Sequence, residues 1–339
     1  MHDVARLAGV SVGTVSAVVN GHTTIRPKLR KRIDEALRAL DYHPNQIARS
    51  LKLQRTQTIG MVVPDVANPF FTSVAHGVEM EGQRRGYSVI LCNTNEDLQQ
   101  ERRQLSILFS RRVDGVLISS SNYDAAKDRL TRRRFPIVFF DRIPPGYRGD
   151  AVLTDNFSAA YRAVQYLIGL GHRRVAIIAG ALDLSVVADR MDGYRKAMQD
   201  AELPVPAPYI QRGDFKLQSG YLCGLELLRL PAPPTAIFSC NNLMTLGLMG
   251  AIVEQKISCP DQISVLGFDD FDWAASFNPR LTTMAQQMCE MGRRAMEMLV
   301  ERIESPIPEP DSEQGHVVVL EAELRIRDST APPPSNPMS

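Results

Sequence analysis

The sequence predicts an α/β protein in two parts. A small, basic, helical head is followed by a long region of alternating strands and helices that forms two doubly wound lobes. Three observations carry this. The net charge of the 339 residues is only +1, yet residues 1–57 hold ten Lys/Arg against four Asp/Glu, and the remainder holds 29 against 34. The spacing of apolar residues changes at Thr58, from helical before it to short strand-like runs after it. Between the two regimes, Pro44 to Gly60 (P-N-Q-I-A-R-S-L-K-L-Q-R-T-Q-T-I-G) carries Arg49, Lys52 and Arg55 and no acid.

Length and composition bound the function classes. A chain of 339 residues with 44% hydrophobic residues has enough apolar content for two or three domains. Five scattered cysteines (Cys92, Cys223, Cys240, Cys259 and Cys289) lack any C-x-x-C and read as reduced thiols of a cytoplasmic protein. No basic start leads into an apolar run and no 18-residue apolar stretch exists, so neither secretion nor a membrane span is expected. Asn156-Phe157-Ser158 is a formal glycosylation sequon that has no meaning without secretion.

In the head, His2 to Leu7 reads as a helix with Val4, Ala5 and Ala8 on its buried side, stopped at Gly9. Ser11 is placed to cap a second helix, Val12 to Val19, which ends at Asn20-Gly21. Two short helices joined by a glycine-containing turn make a helix-turn-helix. A third helix opens at Pro27, runs from Lys28 to Leu40, and points Ile33, Leu37 and Leu40 inward. The Ser11, Thr14 and Ser16 hydroxyls and the backbone N–H groups at the start of the second helix suit phosphate. Asn45 can cap a short hinge helix with Ile47, Ala48 and Leu51 on one face. Two turns do not hold themselves together in water, so this helix needs a partner surface such as an anionic duplex and a second copy of itself.

From Thr58 the pattern is strand then helix, repeated. A first series of strands is expected at Ile59–Val63, Ser88–Cys92, Gly115–Ser119 and Ile137–Phe140, with helices near 70–85, 97–110 and 124–134. A second series is expected at Ala151–Thr154, Val175–Ala179, Ala236–Ser239 and Ser264–Gly267, with helices near 157–170, 187–201, 216–229 and 242–255. Ligands of such sheets bind beyond the carboxyl ends of the strands, here in the cleft between lobes. The stretches past the strands are chemically consistent: Pro64-Asp65-Val66-Ala67-Asn68-Pro69-Phe70-Phe71; Asp141-Arg142; the loop ending in Asp189-Arg190-Met191-Asp192-Gly193-Tyr194; Gly213-Asp214-Phe215; Asn241-Asn242; Phe268-Asp269-Asp270; and Gln286 after Leu281–Ala285. Aromatic plates, carboxylates, guanidinia and amides are what a sugar needs for its C–H faces and hydroxyls. The two arginines leave a phosphorylated sugar open as well.

The stretches H-D-V-A-R-L-A-G-V-S-V-G-T-V-S-A-V-V-N-G, L-D-Y-H-P-N and I-A-R-S-L-K resemble the head and hinge of the lactose-repressor family of bacterial transcription regulators. Position by position, the resemblance implies that Val12, Gly13 and Ala17 face bases in the major groove and that Thr14, Ser16 and Asn20 meet phosphates. It implies that Leu51 wedges into the minor groove at the centre of a palindromic operator, with Arg49 and Lys52 beside the backbone. Relatives carry a polar residue where this chain has Ala17, so base reading is expected to rest on thymine methyls and duplex shape. The first helix, starting two residues before Asp3-Val4-Ala5, is expected to lack its usual cap unless the natural start lies upstream.

The remainder resembles periplasmic sugar-binding proteins, most closely the ribose-binding pattern. That implies an effector site of Asn68, Phe70, Phe71, Asp141, Arg142, Arg190, Phe215, Asn241, Asp269 and Gln286. Asn242 departs from the Asp of most relatives, which bears on lobe closure more than on the sugar. Trp273 is expected either to cover the cleft or to pack the hinge.

The expected organisation is therefore a head at 1–43, a hinge helix and linker at 44–57, a two-lobed effector and dimerisation domain at 58–328, and a disordered tail at 329–339. The tail has no leucine heptads, which favours a homodimer over a tetramer. The function expected is a DNA-binding repressor controlled by ribose or a related pentose or hexose, with a phosphosugar, nucleoside or purine as the alternative effector. A sugar-binding module without DNA is disfavoured by the basic head. Enzyme function is not expected: Gly9-Val10-Ser11-Val12-Gly13 matches G-x-S-x-G but joins two short helices instead of a strand and a helix. No G-x-G-x-x-G, Walker A or H-E-x-x-H pattern occurs, and His22, His43, His76, His172 and His316 lack metal-ligand spacing, so no cofactor is expected.

Overall fold

A computed structural model of the chain describes residues 1–19, 25–42, 55–120, 135–181, 184–304 and 315–334. The chain divides into two compact units, Met1–Gln57 and Thr58–Ser339.

The first unit contains helices α1 (His2–Ala8), α2 (Val12–Val19) and α3 (Pro27–Ala39). Gly9 ends α1 in the left-handed region at φ 60°, where its own N–H and that of Val10 reach back to the Arg6 and Ala5 carbonyls. Val4, Ala5, Ala8, Val15, Val18, Ile33 and Ala36 make the small core. Leu37 packs against it, but Leu40 does not: it falls at the end of α3 and is 43% exposed. Met1 caps α1 without a side-chain hydrogen bond. The hinge segment and the expected helix at 124–134 lie outside the described residues.

The second unit holds two six-stranded sheets. The first is ordered β11-β5-β4-β3-β1-β2, from β1 (Thr58–Val63), β2 (Ser88–Asn93), β3 (Gly115–Ile118), β4 (Ile137–Phe140), β5 (Ala151–Thr154) and β11 (Val317–Leu320), all parallel. The second is ordered β12-β10-β9-β8-β6-β7, from β6 (Val175–Ala179), β7 (Ile210–Arg212), β8 (Ala236–Ser239), β9 (Ser264–Phe268), β10 (Thr282–Ala285) and β12 (Glu323–Arg325). Only β12 runs antiparallel there. Helices α4 (Pro69–Arg85), α5 (Leu98–Ser110), α6 (Asn156–Gly169), α7 (Ser185–Asp200), α8 (Leu217–Leu228), α9 (Asn242–Glu254) and α10 (Met288–Glu304) cover the sheets.

Four expectations need correction. Ala151–Thr154 belongs to the first sheet, because Ala151 and Val152 pair with Phe139 and Phe140 across a short connection. The strands at 210–212, 317–320 and 323–325 and the helix Met288–Glu304 were not anticipated. Ile210–Arg212 and Glu323–Arg325 are short and mostly polar, and Val317–Leu320 exposes two of its four side chains. Of the two places expected for Trp273, the cleft is excluded: its ring packs at tilted angles against Phe271 and Phe277 beside the second lobe's core. The tail is not disordered from Ser329. Ser329 is buried, and its hydroxyl donates to the Val265 carbonyl and accepts from the Thr282 N–H. The buried His172 ring meets the Ala331 carbonyl, and the Ala331 N–H donates to the Ser264 hydroxyl on β9, so residues 329–331 are strapped to the second lobe.

The chain passes between the lobes three times, after β5, after β10 and after β11. The passages are tied to one another: the Asp155 N–H donates to the Leu320 carbonyl, Gln287 donates to the Glu321 carbonyl, and Thr154 donates to Gln286 at 2.5 Å. Through the second passage, α10 returns to the first lobe and crosses α4. Glycines permit that crossing. A methyl on Gly292 would lie 2.0 Å from the Val74 carbonyl oxygen, and one on Gly77 would lie 2.0 Å from that of Cys289. Gly292→Ala must therefore push two helices apart, and we expect it to lower unfolding free energy by about 1–3 kcal/mol in urea titration.

Candidate functional site

The head presents one surface of interest, the exposed start of α2. Ser11 caps it, its hydroxyl accepting from the Thr14 N–H at 3.2 Å and lying 2.9 Å from the Thr14 hydroxyl. Gly13 is exposed; Thr14, Ser16 and Ala17 are half-buried. Val12 also packs against the head's core, so part of its side chain is committed to folding. Arg32 on α3 donates to the Ala8 carbonyl at 2.5 Å and locks α3 against the end of α1. Asn20, Arg49, Leu51 and Lys52 lie outside the described residues.

In the second unit, one cleft of about 290 Å³, partly open to solvent, is lined by Asn68, Phe70, Phe71, Asp141, Arg142, Arg190, Phe215, Asn241, Asp269 and Gln286. These ten come from both lobes: nine follow the ends of six strands, and Arg190 stands within α7, well after β6. Val186 completes the lining. It was not anticipated from sequence, although it stands one helical turn before Arg190 on the same face of α7.

Each polar group is fixed by its neighbours. Asn68 caps α4 by accepting from the Phe70 N–H at 3.0 Å, and Asn241 caps α9 by accepting from the Met244 N–H at 2.8 Å. Arg190 donates to Asn156 at 2.8 Å and to the Cys240 carbonyl at 2.6 Å, and its guanidinium lies 3.7 Å from the centre of the Phe268 ring. Gln286 donates to Asp269 at 2.6 Å. Asp141, Phe215 and Asp269 all stand in the left-handed region at φ 62°, 65° and 73°. Three non-glycine residues held there within one cleft indicate backbone strain kept for the sake of side-chain placement.

The charges are costly in this setting. Burial pushes the Asp141 carboxyl up to about 6, with Arg142 and Arg190 pulling it back and Asp269 pushing the same way as burial. Burial likewise raises Asp269, opposed by Arg190 and Gln286. The Arg142 Nε makes no hydrogen bond among the described residues and lies 3.4 Å from an Asp141 oxygen. Buried donors without acceptors and carboxylates short of donors are what a polyhydroxylated ligand resolves.

Other residues singled out from sequence serve the fold. Asp270 is held by Arg325, Arg327 and Thr283 and binds the end of the chain to β10. Asp214 accepts from the Lys216 N–H in a turn. Asn242 departs from the lining too: its amide donates across the cleft to Asn68 at 3.0 Å, linking the lobes directly. No group of His, Cys, Asp and Glu able to hold a metal occurs among the described residues, and no described helix is long and apolar enough to cross a membrane.

Two family models match the chain. One described as bacterial regulatory proteins of the lacI family covers residues 1–45, and one described as a periplasmic binding protein-like domain covers residues 164–330. The HTH-type transcriptional repressor PurR of Pasteurella multocida is 36% identical over 96% of this chain and 97% of its own. The ribose operon repressor of Escherichia coli K12 is 38% identical over 90% of this chain and 93% of its own. The structure of a lac repressor dimer bound to operator and an anti-inducer superposes with a TM-score of 0.85 at 25% identity, over 97% of this chain and 98% of that one. Identity of this order across head and lobes together leaves one conclusion: the chain belongs to the lacI family of bacterial transcriptional regulators, and is a DNA-binding regulator and not an enzyme.

Proposed function

We propose that this protein is a cytoplasmic repressor, acting as a homodimer on a palindromic operator, whose DNA affinity is set by a small sugar bound between the lobes. The observation that supports the effector reading is the lining of the cleft: three phenyl rings, two carboxylates, two guanidinia, two asparagines and a glutamine around one space. A pentose or hexose ring lays its C–H faces on Phe70, Phe71 and Phe215. Its hydroxyls donate to Asp141 and Asp269 and accept from Arg142, Arg190 and Asn241. Ribose is favoured by likeness to the ribose operon repressor.

On the DNA side, α2 enters the major groove, with Ser11, Thr14, Ser16 and Asn20 at phosphates and Val12, Gly13 and Ala17 against bases. Arg49, Leu51 and Lys52 belong to a hinge helix that pairs with its copy and wedges the minor groove. Sugar bound between the lobes biases how they close, and the two sites then couple reciprocally.

Thermal unfolding with a panel of neutral pentoses and hexoses is expected to show stabilisation of about 2.7 kcal/mol at 100 times the Kd of the cognate sugar. The same sugar should weaken operator binding by roughly 5- to 150-fold, and a sugar that binds while leaving operator affinity unchanged would remove the coupling. Sugar hydroxyls favour the charged form of Asp141, so binding must release any proton held there. Affinity measured by calorimetry is therefore expected to be level above pH 7 and to fall as pH drops through about 6. The contact between lobes is probed by Asn242→Asp, which cannot donate to Asn68. Asn68 must then turn its amide over and leave the Phe70 N–H uncapped, at a cost of about 1–3 kcal/mol. We expect the variant to show a larger radius of gyration by solution scattering without ligand.

A further inference from the structure

We propose that Glu96, which does not line the cleft, is a positioning residue that sets its charge and makes the site selective for neutral sugars over their phosphate esters. This rests on the sugar reading above and narrows it. Glu96 stands in the loop after β2, where it and Asn95 both adopt the left-handed region, at φ 59° and 54°. The loop is held there by the Glu96 N–H donating to the Pro64 carbonyl and by Asn93 donating to the Asn95 side chain at 2.7 Å. This conformation aims the Glu96 side chain at Arg142. The Glu96 carboxylate meets the Arg142 guanidinium, whose Nη1 donates to its two oxygens at 2.9 and 3.0 Å.

That contact changes what Arg142 offers. A buried arginine in a sugar site is the natural phosphate partner when its charge is free. Here it lies between Glu96 on one side and Asp141 on the other. Arg190 is similarly engaged, with Nε on Asn156 and Nη1 on the Cys240 carbonyl. Around the cleft, two guanidinia thus face the three carboxylates Glu96, Asp141 and Asp269. A neutral ring accepts hydrogen bonds from the arginines and donates to the lining carboxylates without adding charge. A phosphate dianion placed in the same space meets arginines already compensated and carboxylates that repel it.

The test measures binding by calorimetry for matched pairs, ribose with ribose 5-phosphate and fructose with fructose 6-phosphate, on the full chain and on Glu96→Gln and Glu96→Asp. The native protein is expected to bind one neutral sugar and to bind its ester at least tenfold more weakly. Glu96→Gln should cut that ratio by about tenfold, on the scale of removing one unit charge a few ångströms from the ligand. Glu96→Asp, which keeps the charge, should retain most of the discrimination. The Asp variant separates loss of charge from loss of loop shape, and the Gln variant separates charge from mere steric exclusion of the ester. An ester bound as tightly as its sugar, or a ratio unmoved in Glu96→Gln, overturns the role of Glu96 while leaving the sugar reading intact. Binding of no sugar and no ester overturns both.

Discussion

The constraint on which the sensor unit depends is the burial of charge at the ends of parallel strands. Asp141, Arg142, Arg190 and Asp269 are each almost fully buried, and ionised groups taken out of water are tolerated only when paired and hydrogen-bonded. Parallel strands deliver their carboxyl ends to one edge of each sheet, and two sheets set edge to edge bring these groups within reach of one another. The supporting residues answer that need. Asn156 and the Cys240 carbonyl hold Arg190, Glu96 holds Arg142, and Gln286 holds Asp269. Even so, the compensation is incomplete, as the elevated Asp141 carboxyl and the unbonded Arg142 Nε record. A protein optimised only for stability would not leave them so.

The lobes share one chain path that crosses three times, and the crossings are hydrogen-bonded into a single strip at 154–156, 285–287 and 320–323. Under the proposed function this strip is the axis about which the sheets turn as the cleft closes on its ligand. Asn242 and Asn68 bridge the far side of the same cleft. Closure therefore has a direct polar contact between lobes in addition to whatever a bound molecule supplies. The close crossing of α4 and α10 at Gly77 and Gly292 holds the returning helix to the first lobe.

The head is held by different means. Its core is seven small or branched apolar residues, and Arg32 adds a hydrogen bond from α3 to the end of α1. A core of that size supports a fold but little more. Val12 shows the resulting economy, since a residue expected to face bases also packs against the head's own interior. The start of α2 carries no charged side chain from Ser11 to Ala17, which is why the base reading proposed above relies on shape and methyl contacts in place of bidentate hydrogen bonds.

What the sequence by itself determined were features carried by local pattern. Helical periodicity with Ser11 and Gly9 in place defined the head's first two helices, and apolar runs defined eight strands to within a residue or two. The cleft lining was legible through the resemblance to the ribose-binding pattern, whose ten implied residues line one space, whereas chemistry-bearing residues past the strands pointed also to Asp214, Asn242 and Asp270, which do not line it. The tertiary structure alone decided which sheet received Ala151–Thr154, since pairing depends on the strand that the fold places beside it and not on the strand's own residues. It decided that Ser329 to Ala331 form a hydrogen-bonded strap with Ser329 buried, because a proline- and serine-rich segment carries no periodicity and gains order only from the strands it bonds. It also revealed Glu96, Asn156 and Val186 at the site. None of the three carries a sequence signal for this site, and each matters only through a partner 34 to 46 residues away or through a helix face that the fold turns toward the cleft.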